Sequence, residues 1–160
     1  LSLVSNTDKV KLLVVGKGKT GPFERLAAKL RIRDNVTFAG SASKIEQYYG
    51  GADFFVLPTY YDPFANVCVE ALACGLPVIT TRTNGAAELI EPGKNGFVVN
   101  KPDDIKELSE AILHLINPKL RDSMAEYAFE SVKHLTIEAH VKKVCRVYDE
   151  ILREKRAKQD

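Results

Sequence analysis

One stretch, residues 53–81, limits more than any other what this chain can become. It reads strand, loop, helix, strand. Asp53-Phe-Phe-Val-Leu57 is a short apolar run, suited to a strand buried on both faces. Pro58 ends it. Residues 59–65 form an irregular loop, in which Pro63 holds Asp62 away from helical backbone. Asn66 is the expected N-cap, and Val67 to Cys74 follow with helical periodicity. Gly75 stops that helix and Pro77 opens the next strand. A loop at the carboxyl end of a buried strand therefore feeds a helix N-terminus, the place where open α/β sheets bind ligands.

The residues there suit one kind of ligand. A helix N-terminus presents unpaired N–H groups and about half a positive charge, which favours phosphate. Glu70 stands about one turn into the helix, and Asp62 lies in the loop before it. A carboxylate accepts two hydroxyl donors at once, so two such acids fit a ligand rich in vicinal hydroxyls. Phosphate donors beside two hydroxyl-binding acids describe a nucleotide-sugar site. Glu70 alone could also be read as an acid complementing the helix dipole.

The run Asp62-Pro-Phe-Ala-Asn-Val-Cys-Val-Glu70-Ala-Leu-Ala-Cys-Gly-Leu-Pro-Val78 resembles the acidic signature of retaining GT-B glycosyltransferases of family 4. Their pattern is roughly E-G-F-G-x-x-x-x-E-A-x-A-x-G-x-P-V. Within that family the chain is most similar to lipopolysaccharide-core heptose glucosyltransferases, from about Val10 to Asn100 and more weakly beyond. It departs at the first acid, which is Asp62 rather than Glu and so shorter by about one carbon–carbon bond, ~1.5 Å. Pro63 and Ala65 replace the usual glycines, so the loop must take a different path.

Composition sets the outer bounds. The chain has 160 residues, 45% hydrophobic and 28% charged, which is enough for one domain burying about 70% of its unfolded surface. A scattered net charge of +2 does not point to nucleic acid or to an anionic membrane. No signal peptide and no apolar run near bilayer length is present. Cys68, Cys74 and Cys145 show no metal-ligand spacing and read as buried reduced thiols of a cytosolic protein. The chain opens on Leu1, and residues 1–7 read as the end of a helix already under way. The expectation is a domain with more chain upstream.

Lys11 to Val15 is an apolar strand, followed by Gly16-Lys-Gly18-Lys-Thr-Gly21 and a helix over about residues 22–30. Literally this is the dinucleotide fingerprint G-x-G-x-x-G. That fingerprint needs an acid at the end of the second strand. The second strand, residues 36–39, ends instead in Gly40-Ser41, and Asp34 precedes it. Nor does Gly-Lys-Ser/Thr close a phosphate loop. The resemblance implies instead that this turn faces the nucleotide cleft, with Gly16 and Gly18 letting backbone approach the ligand. A plain strand-to-helix turn is the competing reading, and Lys17 and Lys19 read as solvated. The resemblance also places the nucleotide base against the loop at Ser41. Ser43 is the expected N-cap of a helix over residues 44–49, closed by Gly50-Gly51.

Beyond the central stretch, Thr83-Asn84-Gly85 is a turn into a short helix over residues 86–90, with Glu88 read as a helix-start acid. Residues 92–96 form a second turn, and 97–99 an edge strand. Lys101-Pro102-Asp103-Asp104 opens a helix to about Ile116. No Asp-x-Asp occurs in the chain, so these acids read as helix-start residues and no metal is expected. A break at Asn117-Pro118 leads into a helix to about Lys133. From Thr136, Ile137, Val141, Val144, Tyr148 and Ile151 mark one face of a long helix. It either crosses to another domain, as in the family resembled, or covers the core. Residues 153–160 read as a frayed tail. The three histidines lie away from the acidic stretch.

Five short apolar strands alternating with helices make a doubly wound, Rossmann-like parallel sheet. The resemblance implies that the whole chain, residues 1–160, is the nucleotide-sugar-binding C-terminal domain of a GT-B enzyme. It implies a hexosyl donor, UDP-glucose, with no resident cofactor, and retaining transfer to a glycan or lipid-linked acceptor of the cell envelope. Asp62 would bind a sugar hydroxyl and Glu70 the ribose hydroxyls. Phe64 and the backbone N–H groups of Ala65, Asn66 and Val67 would line the sugar and phosphates. An Arg and a Lys for the diphosphate, and the acceptor site, would lie upstream of Leu1. The fragment alone is then expected to bind donor weakly and transfer nothing. Peripheral membrane association of the whole protein stays open. Two carboxylates also raise a glycosidase, but here both belong to one side of a cleft rather than flanking a scissile bond. A NAD-type domain and a non-catalytic binding module are the remaining alternatives.

Overall fold

The computed structural model describes residues 10–157. The reading of residues 1–7 as a helix end, and the last three residues of the tail, fall outside them. The strands are β1 (Leu12–Val15), β2 (Val36–Gly40), β3 (Phe55–Leu57), β4 (Val78–Thr81) and β5 (Gly96–Val99). The helices are α1 (Gly21–Lys29), α2 (Glu46–Gly50), α3 (Asn66–Ala73), α4 (Ile105–Ile116), α5 (Pro118–Val132) and α6 (Ile137–Ala157). Short 3-10 turns lie at Arg33–Asn35 and Gly85–Leu89.

Every strand pairing is parallel, as the β-α alternation requires. The strands form two sheets rather than one continuous sheet, β1-β2 and β3-β4-β5. In the second sheet β4 is central and β5 is an edge, as expected. β4 alternates its side chains between two apolar layers. Val78 joins α3 and α5 residues Cys68, Ala71, Leu72, Ala128 and Val132. Ile79 joins Val99, α4 residues Ala111, Ile112 and Leu115, and Met124 of α5. β3 divides in the same way, Phe55 and Leu57 to the first layer and Phe54 and Val56 to the second. Period-two alternation with apolar residues on both faces is what winds helices on both sides of a sheet.

Local chemistry sets the element ends, with some departures from expectation. α3 ends at Cys74. Gly75 takes φ +75°, and the N–H groups of Gly75 and Leu76 donate to the carbonyls of Leu72 and Ala71, so only glycine suits the stop. Asp104 accepts from the Glu107 N–H at 3.0 Å and caps α4. Asn117 accepts from the Lys119 N–H at 3.1 Å and caps α5, with Pro118 in its first turn. Asn66 is not the cap of α3 but its first residue, because Ala65 holds the extended cap conformation without a side-chain bond. Ser43 does not cap α2 either, since that helix begins only at Glu46 and Ile45 takes the cap position. The tail is not frayed through residue 157, because α6 continues to Ala157. No residue of α6 is buried, so it does not cover the core.

Candidate functional site

The carboxyl ends of β3 and β4 hold the acidic loop in place through one buried side chain. Asn84, 1% exposed, follows β4. Its Oδ1 accepts from the N–H groups of Ala65 at 3.2 Å and Ala86 at 3.1 Å. Its Nδ2 donates to Thr80 Oγ1 at 2.8 Å and contacts Cys68 Sγ at 3.5 Å. One amide thus ties β4, the cap of α3 and the start of the 3-10 turn. Of the three cysteines expected to be buried, Cys68 is, whereas Cys74 and Cys145 lie exposed at the end of α3 and on α6. Burial pushes the Cys68 thiol up to about 11, so it stays protonated and apolar in this layer.

The loop itself is clamped to residues 83–85. The Asp62 N–H donates to the Thr83 carbonyl at 3.2 Å, and the Gly85 N–H donates to the Asp62 carbonyl at 2.9 Å. A Cβ on Gly85 would lie 1.9 Å from the Pro63 carbonyl oxygen, so only glycine permits this approach. Asp62 Oδ1 accepts from the Phe64 N–H at 3.0 Å, closing a local turn across Pro63. That turn is the path the loop takes in place of glycines. It engages Asp62 Oδ1 and not Oδ2.

Asn66 and Val67 occupy the first turn of α3, both exposed, where a helix leaves its N–H groups without internal partners. The Ala65 N–H is different, because Asn84 takes it. Glu70 is exposed one turn on, and its Oε2 accepts from the Tyr49 hydroxyl at 3.0 Å. Asp62, Pro63, Arg82 and Glu88 line one open groove with Tyr61, Thr83, Gly85 and Val98. Glu88 therefore faces the same groove as Asp62 rather than a distant surface.

Gly16 and Ser41 directly follow β1 and β2 at the carboxyl ends of the other sheet, and Gly18 lies in the turn after Gly16. The β1-β2 register shifts between Val14 and Val15, so that Val15 pairs with Gly40, and the Gly16 N–H donates to the Gly40 carbonyl at 2.8 Å. Nothing lies within 4 Å of a Cβ built on Gly16 or Gly18. Packing therefore does not demand glycine at either position, although Gly16 takes φ +155°, which side-chained residues rarely adopt. Among the described residues no three His, Cys, Asp or Glu side chains are grouped to hold a metal ion, and no helix is long and apolar enough to cross a membrane.

Tyr49 and Asn84 are the two residues that pattern reading passed over. Ile45 and Tyr49 are four apart on α2, a spacing that aims both inward, and this was the available signal for Tyr49. Asn84 was legible only as a turn residue.

This arrangement of parallel strands, acid-bearing loop and helix N-terminus is found in α/β glycosyltransferase domains. The chain belongs to the glycosyl transferases group 1 family, whose model matches residues 2–131. It is 36% identical over 118 residues to the lipopolysaccharide glucosyltransferase WaaG of Escherichia coli K12, covering 73% of this chain and 32% of that protein. A crystal structure of WaaG superposes with a TM-score of 0.72 at 34% identity, over 77% of this chain and 34% of the other. The fold also matches Anabaena HepE, solved with UDP and glucose, at TM-score 0.79 and 24% identity, over 90% of this chain and 43% of that one. The chain thus spans about a third of the length of WaaG.

Proposed function

We propose that this chain forms the donor-binding half of a hexosyltransferase that moves glucose from UDP-glucose, with retention, to a hydroxyl of an envelope glycan or lipid-linked acceptor. The observation that carries the reading is the joint placement of Asp62, the first turn of α3 and Glu70 at the carboxyl end of β3. Glu70 would accept the two ribose hydroxyls, and Asp62 Oδ2 a hydroxyl of the sugar. The Asn66 and Val67 N–H groups would meet the diphosphate. Charge developing on the leaving nucleotide would then arrive where fixed donors already point. Gly16, Gly18 and Ser41 would border the nucleotide from the other sheet.

Two relatives support the donor. WaaG is named a glucosyltransferase, and HepE was solved with UDP and glucose. The acceptor, and the basic residues for the diphosphate, would come from an N-terminal domain in a protein of WaaG's length. That protein would work in the cytoplasm, where nucleotide sugars are made.

Calorimetric titration of the full-length protein with UDP tests the site. Glu70→Ala is expected to cost roughly 1.5–3 kcal/mol of affinity, the worth of hydrogen bonds to a charged group. Unchanged UDP affinity would remove Glu70 from the site. Parallel titrations with GDP-mannose, ADP-glucose and NAD test the base, and tighter binding of any of them than of UDP-glucose would overturn the donor assignment.

A further inference from the structure

Tyr49 is 5% exposed, and its ring meets Phe55 edge-on at 5.9 Å and 75°. A buried phenol needs a partner for its hydroxyl. This one reaches out of the apolar layer to an exposed carboxylate 21 residues away, Glu70 Oε2 at 3.0 Å, with the Val67 carbonyl more distant at 3.4 Å. The ring is fixed by packing, so the oxygen is a fixed donor. Glu70 is a long, exposed side chain whose ordering by a ligand would otherwise cost rotamer freedom.

We infer that Tyr49 is a positioning residue for the nucleotide site: its hydroxyl anchors Glu70 Oε2 and presents Oε1, with the free lone pair of Oε2, to two vicinal ribose hydroxyls. This rests on the reading of Glu70 given above. The geometry divides the carboxylate's capacity in the required way. An ionised carboxylate offers about four acceptor positions, Tyr49 uses one, and a cis-diol needs two. The phenol stays a donor at physiological pH, since burial first and the Glu70 hydrogen bond second push its proton affinity well above the ordinary tyrosine range. Tyr49 also ends the segment that begins at Ser41, so one hydroxyl connects α2 to α3.

Tyr49→Phe removes the oxygen and keeps the ring against Phe55. Thermal unfolding of the variant checks that it folds. In the full-length protein, UDP affinity is expected to fall about three- to ten-fold, the range of one net hydrogen bond. Affinity for 2′,3′-dideoxyuridine diphosphate, which lacks the diol, is expected to stay at the wild-type value. Added to Glu70→Ala, the substitution is expected to have no further effect. Wild-type UDP affinity in Tyr49→Phe, while Glu70→Ala binds weakly, overturns the positioning role and leaves the site reading intact. Equal losses for both ligands would make Tyr49 a packing residue only. If Glu70→Ala itself binds UDP normally, the site reading fails first, and the inference falls with it.

Discussion

The β3-β4-β5 sheet and the β1-β2 sheet differ in what covers them. All four residues of β4 are buried, and both of its faces meet packed helices. Leu12, Leu13 and Val14 of β1 stay 39%, 46% and 38% exposed, and Phe23, Leu26 and Leu30 of the α1 region are exposed beside them. β1 is in fact the more apolar strand, Leu12-Leu-Val-Val15 against Val78-Ile-Thr-Thr81 in β4. Being a strand and being a core strand are separate outcomes, and the second needs layers on each face. The difference also divides the chemistry. Asp62, Asn84 and Glu70 hang on a network rooted in the buried sheet. Gly16, Gly18 and Ser41 project from a sheet with few such ties.

Paired substitutions sharpen this contrast. The largest effect is expected at Gly85, where a methyl group would collide with the Pro63 backbone. Gly85→Ala should destabilise by about 4 kcal/mol or more in denaturant unfolding, since backbone cannot yield as a side chain does. Gly18→Ala, facing open space, should change stability by less than about 0.5 kcal/mol. Equal costs at the two glycines would erase the distinction between the halves. Next come the leucines. Leu72→Ala, at a fully buried position of α3, should cost about 3 kcal/mol. Leu13→Ala in β1 should cost about 1 kcal/mol or less. A Leu13 loss matching that of Leu72 would show the first sheet to be as well covered as the second.

The last effect is a pH slope. Burial raises the folded Cys68 thiol from the unfolded value of about 9 to about 11, so folding favours the protonated form. Its contribution is complete below the unfolded value and fades as pH rises toward 11. The total is about 2–3 kcal/mol. Cys68→Ala should flatten the stability profile within that alkaline window, and chemical denaturation at several pH values reads the slope. An unchanged slope would place the thiol in a wetter setting than the buried sheet provides.

What could be read in advance was what neighbours in sequence determine. The strand expected at 53–57 forms at Phe55–Leu57, the helix expected at 67–74 forms at Asn66–Ala73, and the strand expected at 77–81 forms at Val78–Thr81. Apolar period, Pro63, Gly75 and the Asp104 and Asn117 caps are signals that act within four residues. The rest came from contacts across the chain. Asn84 holds the N–H of Ala65, the cap residue of α3, across 19 residues, and Ala65 takes the position that residue type suggests for Asn66. The Tyr49–Glu70 bond spans 21 residues, and no local pattern announces it. The division into two sheets depends on lateral strand pairing, about which periodicity along a strand is silent.

Asn84 carries a last consequence, in chemical ageing. An asparagine followed by glycine is the dipeptide most prone to lose its amide, because the glycine nitrogen can attack the side-chain carbonyl and close a five-membered imide. Here Asn84-Gly85 is such a pair, at a position the acidic loop depends on. Folding disarms it. The amide is held at both ends by its four contacts, and the Gly85 nitrogen is engaged with Asp62. The same bonds that shape the loop therefore act as its preservative, and a molecule that unfolds even briefly exposes its central fastener to irreversible decay.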